Sequence, residues 1–196
     1  MSTNTILPEG FRIVPINEGR YQEAIELAQS ILNIDERYGS KNSFSIKLRI
    51  RMSPKYSVVL LHHDKIIGGY FFSESNNLFH EFGISREKMP WIEKNIHLVN
   101  KTKRNLVRTL IRVLKQYKGK GIEGVALFLQ SKYRNKGLGK ALISYPYTHL
   151  SDKFSYIWGG QEKSLNNIMD WLKRREVFYD TGTTFYTIAS LRNDDL

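Results

Sequence analysis

The chain has no cysteine among its 196 residues. This absence excludes disulfide bonds, thiolate metal ligands and a cysteine nucleophile, and it is typical of proteins in a reducing compartment. Apolar runs long enough to cross a membrane, about 18 residues or more, are also missing. The first ten residues, MSTNTILPEG, lack the basic start and apolar core of a secretory signal. We therefore expect a cytoplasmic protein with no membrane partner.

Acidic residues are scarce, because 19 Asp and Glu face 30 Lys and Arg, which gives a net charge of +11. Such an excess predicts an anionic partner: nucleic acid, a polyphosphate cofactor or an acidic surface. Residues 101–121 hold eight Lys or Arg and no Asp or Glu. Helical spacing places Arg104, Arg108 and Arg112 on one face of a helix, where they suit a polyanion. The alternative is an ordinary solvated face.

The order of apolar periodicities predicts one α/β (α+β) domain spanning residues 1–196. Strands are expected at 11–16, 44–52, 57–61, 66–72, 125–129, 154–158, 176–180 and 183–191, and helices at 20–34, 101–117, 140 onward and 164–175. For 44–52 a short helix is the alternative. His62-His63 is expected in the turn of a hairpin. Pro146 is expected to interrupt its helix, because proline cannot donate the helical hydrogen bond.

The stretch EGVALFLQSKYRNKGLGKAL, from Glu123 to Leu142, combines the features of an anion site. An apolar run at 125–129 reads as a buried strand, and a basic turn with two glycines leads from it into a helix. The first amides of a helix lack internal partners and lie at the positive end of its dipole. Glycines let the backbone approach a ligand. This pattern favours a phosphate site, although an ordinary turn is the alternative.

Two common phosphate motifs do not fit this loop. A Walker A loop would need glycine at Arg134 and serine or threonine at Ala141. A dinucleotide fingerprint would need a third glycine where Leu142 stands. The literal match GKGIEG at 119–124 leads from a helix into a strand, which is the wrong order for that motif. What remains is the pattern Arg134-x-x-Gly137-x-Gly139 after a strand.

This pattern resembles motif A of the GNAT N-acetyltransferase superfamily, whose signature is Q/R-x-x-G-x-G/A. The resemblance covers 123–191 well and 11–72 loosely, and it implies a mixed central sheet flanked by helices. Segment 73–121 would then be a helical basic insertion that is atypical of the family. The resemblance also implies acetyl-CoA as co-substrate. Its implied contacts are the loop residues Arg134, Asn135, Lys136, Gly137, Leu138, Gly139 and Lys140, the strand residues Leu127, Phe128 and Leu129, and Asn166 near the start of the next helix.

The same resemblance suggests catalytic residues. Glu123 stands eleven residues before Arg134, the spacing of the general-base glutamate in histone-acetylating members. Such a base is needed because an ammonium must lose a proton before it can attack. The alternative is a solvated residue at the end of a strand. Lys173 stands where many members carry the tyrosine that protonates the CoA thiolate, so Lys173, Tyr179, Tyr156 and solvent remain candidates for the acid.

We predict an N-acetyltransferase that transfers an acetyl group from acetyl-CoA to a primary amine of a small molecule or protein. The absence of cysteine favours direct attack in a ternary complex. The alternatives are a GNAT-like nucleic-acid-binding module and an acyltransferase using a longer acyl-CoA or an acyl-carrier protein, whose acidic surface would suit the basic helix. No metal is expected, because His62-His63 lacks a third ligand at a useful spacing.

Overall fold

The computed structural model describes residues 7–32, 52–74, 87–101, 104–162, 177–180 and 184–191. The strands are β1 (Phe11–Pro15), β2 (Val58–His62), β3 (Lys65–Ser73), β4 (Gly121–Leu129), β5 (Tyr156–Glu162), β6 (Val177–Asp180) and β7 (Thr184–Ser190). The helices in these ranges are α1 (Glu18–Ile31), α2 (Met89–Lys94), α3 (Arg104–Gln116) and α4 (Leu138–His149), with 3-10 turns at Ile96–Leu98 and Ser131–Tyr133. Hydrogen bonds order the strands β1-β2-β3-β4-β5-β7-β6. The predicted mixed sheet with flanking helices is confirmed.

The chain divides into two compact units. One comprises Met1–Glu74 and Gly124–Leu150, and the other comprises Ser75–Glu123 and Ser151–Leu196. Strand β4 contributes its last six residues to the first unit and its first three to the second. A single domain with residues 73–121 as an insertion remains a prediction, although helices α2 and α3 do lie within that segment.

The first unit is built on an antiparallel ladder of β1, β2 and β3. Helix α1 begins after Asn17, whose side chain accepts a hydrogen bond from the Arg20 amide and so caps the helix. Its apolar face packs on the sheet, where Ile25, Phe71 and Phe128 are buried in one cluster. The opposite face of the same strands packs against α4 in a second apolar cluster. Strands β2 and β3 are therefore apolar on both faces, since β2 is buried from Val58 to Leu61 and β3 is buried from Ile66 to Ser73 except at half-buried Tyr70.

The second unit joins the start of β4 to β5. Residues Gly121–Glu123 pair in parallel with Tyr156–Trp158, and β5, β7 and β6 follow as antiparallel neighbours. A parallel pair needs a long crossover connection, and the chain between these two strands contains α4. Helix α3 buries Val107 and Ile111 in the core of this unit. The predicted pairing of the last two strands is confirmed.

Three expectations need correction or fall outside the described residues. The expected break at Pro146 is wrong, because α4 continues to His149. Pro146 is buried in the last turns of the helix, where the amide it lacks removes only one backbone hydrogen bond. The expected helix at 164–175 and the expected strand at 44–52, apart from buried Met52, lie outside the described residues. Among the described helices, none is long and apolar enough to cross a membrane.

Strands β3 and β4 approach so closely that Gly68 has no room for a side chain. A Cβ on Gly68 would lie 2.7 Å from the Phe128 carbonyl oxygen, a backbone atom that cannot move aside. We expect Gly68→Ala to lower the free energy of unfolding by about 1–3 kcal/mol, the usual effect of overpacking. Urea unfolding measures this change.

The matched control is Gly19→Ala in the first turn of α1, where the nearest atom to a new Cβ is 3.7 Å away. This variant should be neutral or more stable by up to about 1 kcal/mol, because alanine restricts the unfolded chain. Equal unfolding free energies for the two variants would show that the approach of β3 and β4 does not constrain the fold.

Candidate functional site

The candidate site begins where β4 ends and α4 begins. Within β4, Ala126 and Phe128 are buried on the side of α1, whereas Leu127 and Leu129 pack in the cluster that contains α4. The 3-10 turn Ser131–Tyr133 then leads into a short loop. Strand, basic glycine loop and helix therefore follow one another as the sequence predicted.

The loop bends through two residues with left-handed backbone conformation. Asn135 has φ 61° and Gly137 has φ 76°, and both residue types accept this conformation more readily than others do. Such turns leave successive backbone amides pointing in one direction, an arrangement that binds anions.

The first amides of α4 are available to a ligand. Gly137 is the N-cap residue and makes no side-chain capping bond. Within the described residues, the first backbone hydrogen bond at this end is donated by Ala141 to the Gly137 carbonyl, so the amides of 138–140 have no partner there. A Cβ on Gly139 would meet no atom within 4 Å, so the space beside the first turn of α4 is open at this residue. This geometry fits a phosphate group.

The side chains of the loop divide into an anchor and an exposed basic rim. Leu138 is 1% exposed and fixes the start of α4 in the apolar cluster of the first unit. Arg134 Nε donates to the Leu129 carbonyl oxygen at 3.3 Å, which ties the loop back to the end of β4. The predicted contact residues Asn135, Lys136 and Lys140 are exposed. The loop thus combines an anchored backbone with exposed cations that can contact an anion.

A cluster around His62 lies beside this loop, and the sequence did not reveal it. The sequence predicted His62 in the turn of the hairpin. This prediction is wrong, because His62 is the last residue of β2. Its ring stacks on Phe11 with centroids 4.4 Å apart, and its Nδ1 lies 3.1 Å from the Tyr133 hydroxyl. Lys132 and Lys136 each place an ammonium group over the Tyr133 ring. The aromatic cluster therefore connects β2 to the basic rim.

The charge state of His62 depends on its surroundings. Desolvation lowers the pKa of the His62 ring below its ordinary value, and the positive charges of His63, Lys136 and Lys132 lower it further. No local sequence signal predicts this, because Tyr133 stands 71 residues away in the chain. Only the pairing of β1 with β2 and the position of the loop bring these residues together.

Glu123 is the third residue of β4 and belongs to the second unit. It is 7% exposed and pairs in register with Trp158 of β5. It is one of three buried polar or charged residues in the described part of the chain, with Ser57 and Ser73. Its burial rules out the alternative of a solvated strand end.

The other candidates can be placed only in part. Tyr156 is buried in the core of the second unit, with its ring 5.8 Å from that of Tyr117. Tyr179 lies in β6, opposite Tyr186 of β7, and its side chain is outside the described part. Asn166 and Lys173 also fall outside the described residues. In the part of the chain that the structure describes, no three His, Cys, Asp or Glu residues are grouped as metal ligands.

Comparison with solved structures identifies the fold, whereas comparison of sequences does not. No family model and no curated protein matches the sequence. Ard1 from Thermoplasma volcanium matches with a TM-score of 0.59 and 9% identity, over 94% of this chain and 99% of that one. The PaiA N-acetyltransferase from Thermoplasma acidophilum in complex with coenzyme A matches with a TM-score of 0.53 and 13% identity, over 92% and 98%. Naa50 from Arabidopsis thaliana, bound to the bisubstrate analogue CoA-Ac-MVNAL, matches with a TM-score of 0.52 and 10% identity, over 91% and 97%.

PaiA is an N-acetyltransferase, and each of the three likenesses spans nearly the whole of both chains. The chain therefore shares its fold with these proteins, and this is the GNAT fold that the glycine motif after β4 predicted.

Proposed function

We propose that this protein is an N-acetyltransferase that transfers the acetyl group of acetyl-CoA to a primary amine. The observation that carries the proposal is the loop 130–140, whose open amides, absent side-chain cap and basic rim suit the pyrophosphate of CoA. Two proteins of the same fold support this donor, since PaiA is known with coenzyme A and Naa50 with a CoA-peptide bisubstrate analogue. The bisubstrate analogue bound to Naa50, CoA-Ac-MVNAL, also supports an amine as acceptor.

Each part of the site has a separate task in this proposal. Loop residues Arg134, Lys136 and Lys140 would neutralise phosphate charge, and the amides from Gly137 onward would donate to phosphate oxygens. The backbone of Leu127–Leu129 would hold the pantetheine arm, and the Leu127 amide would polarise the thioester carbonyl. These donors stand on a strand and a helix start, so they are in place before the substrate binds.

Glu123 is proposed as the general base. It would take a proton from the substrate ammonium, after which the amine attacks the thioester carbonyl and the C–N bond forms. The nitrogen then loses a second proton to solvent as the C–S bond breaks. The departing thiolate then gains a proton from Lys173, Tyr179 or solvent. Tyr156 suits this role less well, because its ring is packed in the core of the second unit.

Gly139 offers a test of the phosphate site that separates binding from folding. Gly139→Asp places a negative charge at the start of α4, where it stabilises a helix by about 0.3–1 kcal/mol. The same charge would repel a bound pyrophosphate. We expect unchanged or higher thermal stability, together with CoA affinity at least about tenfold weaker than that of Gly139→Asn, a loss of ~1.4 kcal/mol. Isothermal titration calorimetry and thermal unfolding measure the two effects.

The isosteric Gly139→Asn variant is the control, because it adds the same volume without the charge. Equal CoA affinity for the Asp and Asn variants would place the phosphate elsewhere and remove the main support for the donor.

Glu123→Gln tests the base. The substitution keeps the volume of a buried side chain, so the fold and CoA affinity should change little. We expect kcat to fall by about 10²–10⁴ near neutral pH, the usual contribution of a general base, with loss of the acidic limb of the pH–rate profile. A pH–rate profile identical to that of the wild type would assign the base to another residue or to water.

The His62 cluster predicts how CoA affinity depends on pH. A bound pyrophosphate beside Lys136 offsets the charges that lower the pKa of His62, so this pKa is higher in the complex than in the free protein. The protonated ring then favours binding. Affinity should increase as pH falls through the pKa of the complex, and should level off below the pKa of the free protein. Calorimetry over a pH series measures this change.

The phosphates of CoA also titrate, so the wild type is compared with variants. His62→Asn should remove this part of the pH dependence, while His63→Asn should retain most of it. His63 has φ 51°, a conformation that asparagine tolerates well. Superimposable pH profiles for the wild type and His62→Asn would disprove the coupling between His62 and the loop.

A further inference from the structure

Helix α2 and the turn that follows it lie along α3 in the second unit. At one end, Arg104 donates from Nε to the Val99 carbonyl oxygen at 2.9 Å and from Nη2 to the His97 carbonyl oxygen at 2.6 Å. At the other end, Lys115 Nζ lies 2.7 Å from each carboxylate oxygen of Glu93. The segment from Glu93 to Val99 therefore runs antiparallel to α3 and is attached to it at both ends.

Two arginines occupy the stretch of α3 between these attachments. Arg108 and Arg112 follow Arg104 by four and eight residues, so they share its face of the helix with Lys115. Both are exposed, and no described residue accepts a hydrogen bond from either guanidinium group. The face from Arg104 to Lys115 is about 16 Å long at the helical rise. With respect to the described residues, it therefore presents two arginines without an acceptor at its centre.

Two large apolar side chains are exposed on α2 and the turn that follows it, in or next to the segment that is attached to α3. Trp91 is 65% exposed and lies two residues before Glu93, while Leu98 is 66% exposed and lies between the two residues that Arg104 holds. In the described part of the chain, Trp91 and Leu98 are the two exposed large hydrophobic side chains. Their neighbours Ile92 and Ile96 already pack in the core of this unit. Trp91 and Leu98 are therefore not needed to close that core.

We propose that Trp91, Leu98, Arg108 and Arg112 form a docking surface for an acidic protein segment that carries spaced apolar side chains. Arginine binds carboxylates through two parallel hydrogen bonds, and tryptophan and arginine dominate the energy of protein interfaces. Arg104 is used internally, so the surface differs from the three-arginine face that the sequence suggested. This surface does not depend on acetyl transfer and would serve the protein whatever its acceptor is.

The apolar pair favours a protein partner over nucleic acid. Single-stranded nucleic acid would use the arginines for phosphates and Trp91 as a stacking platform. It would leave Leu98 without a role, because aliphatic side chains offer no flat face for a base. A peptide with apolar residues about two turns apart covers both Trp91 and Leu98 while its carboxylates meet the arginines.

The test uses the full chain and three labelled probes in fluorescence anisotropy. The first probe is a 16-residue helical peptide with leucines on one face and glutamates on the other, and the second replaces its glutamates with lysines. The third probe is a single-stranded oligonucleotide of the same length in nucleotides. Saturable binding of the acidic peptide, with no binding of the basic one, is the expected result.

Two double variants separate the charged and apolar contributions. Arg108→Glu with Arg112→Glu, and separately Trp91→Ala with Leu98→Ala, should each weaken binding of the acidic peptide by at least about tenfold. All four residues are exposed, so the variants should unfold at the wild-type temperature and keep wild-type affinity for CoA.

The matched control reverses two exposed lysines in turns, Lys55→Glu with Lys153→Glu, which makes the same change in net charge. It should bind the acidic peptide within about twofold of the wild type. If this control weakened binding of the acidic peptide as much as the Arg108/Arg112 variant does, net charge alone would explain the loss, and the proposal would be overturned. Absence of peptide binding would overturn it as well. Tighter binding of the oligonucleotide than of the acidic peptide would assign the surface to nucleic acid. Self-association of the wild type that the Trp91/Leu98 variant loses would assign it to a second copy of the chain. Either result would overturn the proposal.

Discussion

The burial of Leu138 and Leu142 in the apolar cluster of the first unit is the contact on which the candidate site depends. Leu138 follows Gly137 directly, so its burial fixes where α4 begins and which way its first amides point. Without this anchor, the loop would have to be ordered by the ligand itself, and that ordering would reduce affinity. The close approach of β3 and β4 at Gly68 supports the same arrangement from the other end, because it holds the strand that leads into the loop.

The positive charge of the chain is distributed between two regions with different geometry. In the first unit, Lys132, Lys136 and Lys140 are exposed on or beside the loop that we propose binds one small anion. In the second unit, Arg108 and Arg112 are exposed on α3, and we propose that they share a docking surface with Trp91 and Leu98. A shaped loop selects a compact group such as pyrophosphate, whereas an open face suits an extended acidic chain. The net charge of +11 alone does not distinguish these tasks.

The sequence predicted the features that local chemistry controls. The apolar run before Arg134-x-x-Gly137-x-Gly139 identified the strand, the loop and the fold, because glycine spacing and strand burial both act over a few residues. The start of β4 at Gly121 was missed, since Gly119-Lys120-Gly121 is typical of a terminator and only pairing with Tyr156–Trp158 makes it a strand. Contacts such as His62 with Tyr133 depend on distant segments and leave no local pattern.

Burial likewise could not be predicted from residue type alone. Glutamate is usually solvated, yet Glu123 is buried, because its position in β4 is set by the parallel pairing with β5. Conversely, Trp91 and Leu98 are apolar but exposed, since the neighbouring residues of α2 and its turn already fill the core. Both exceptions to the usual rule fall where we propose function, as expected for sites that depart from the folding pattern.

The central claim is that the loop between β4 and α4 binds the pyrophosphate of acetyl-CoA. Isothermal titration calorimetry of the full chain with acetyl-CoA, paired with thermal unfolding, tests this claim most directly. The account predicts one saturable site per chain and, at a hundredfold excess over Kd, a stabilisation of about 2.7 kcal/mol. No heat of binding and no thermal shift at saturating concentrations of acetyl-CoA would contradict it.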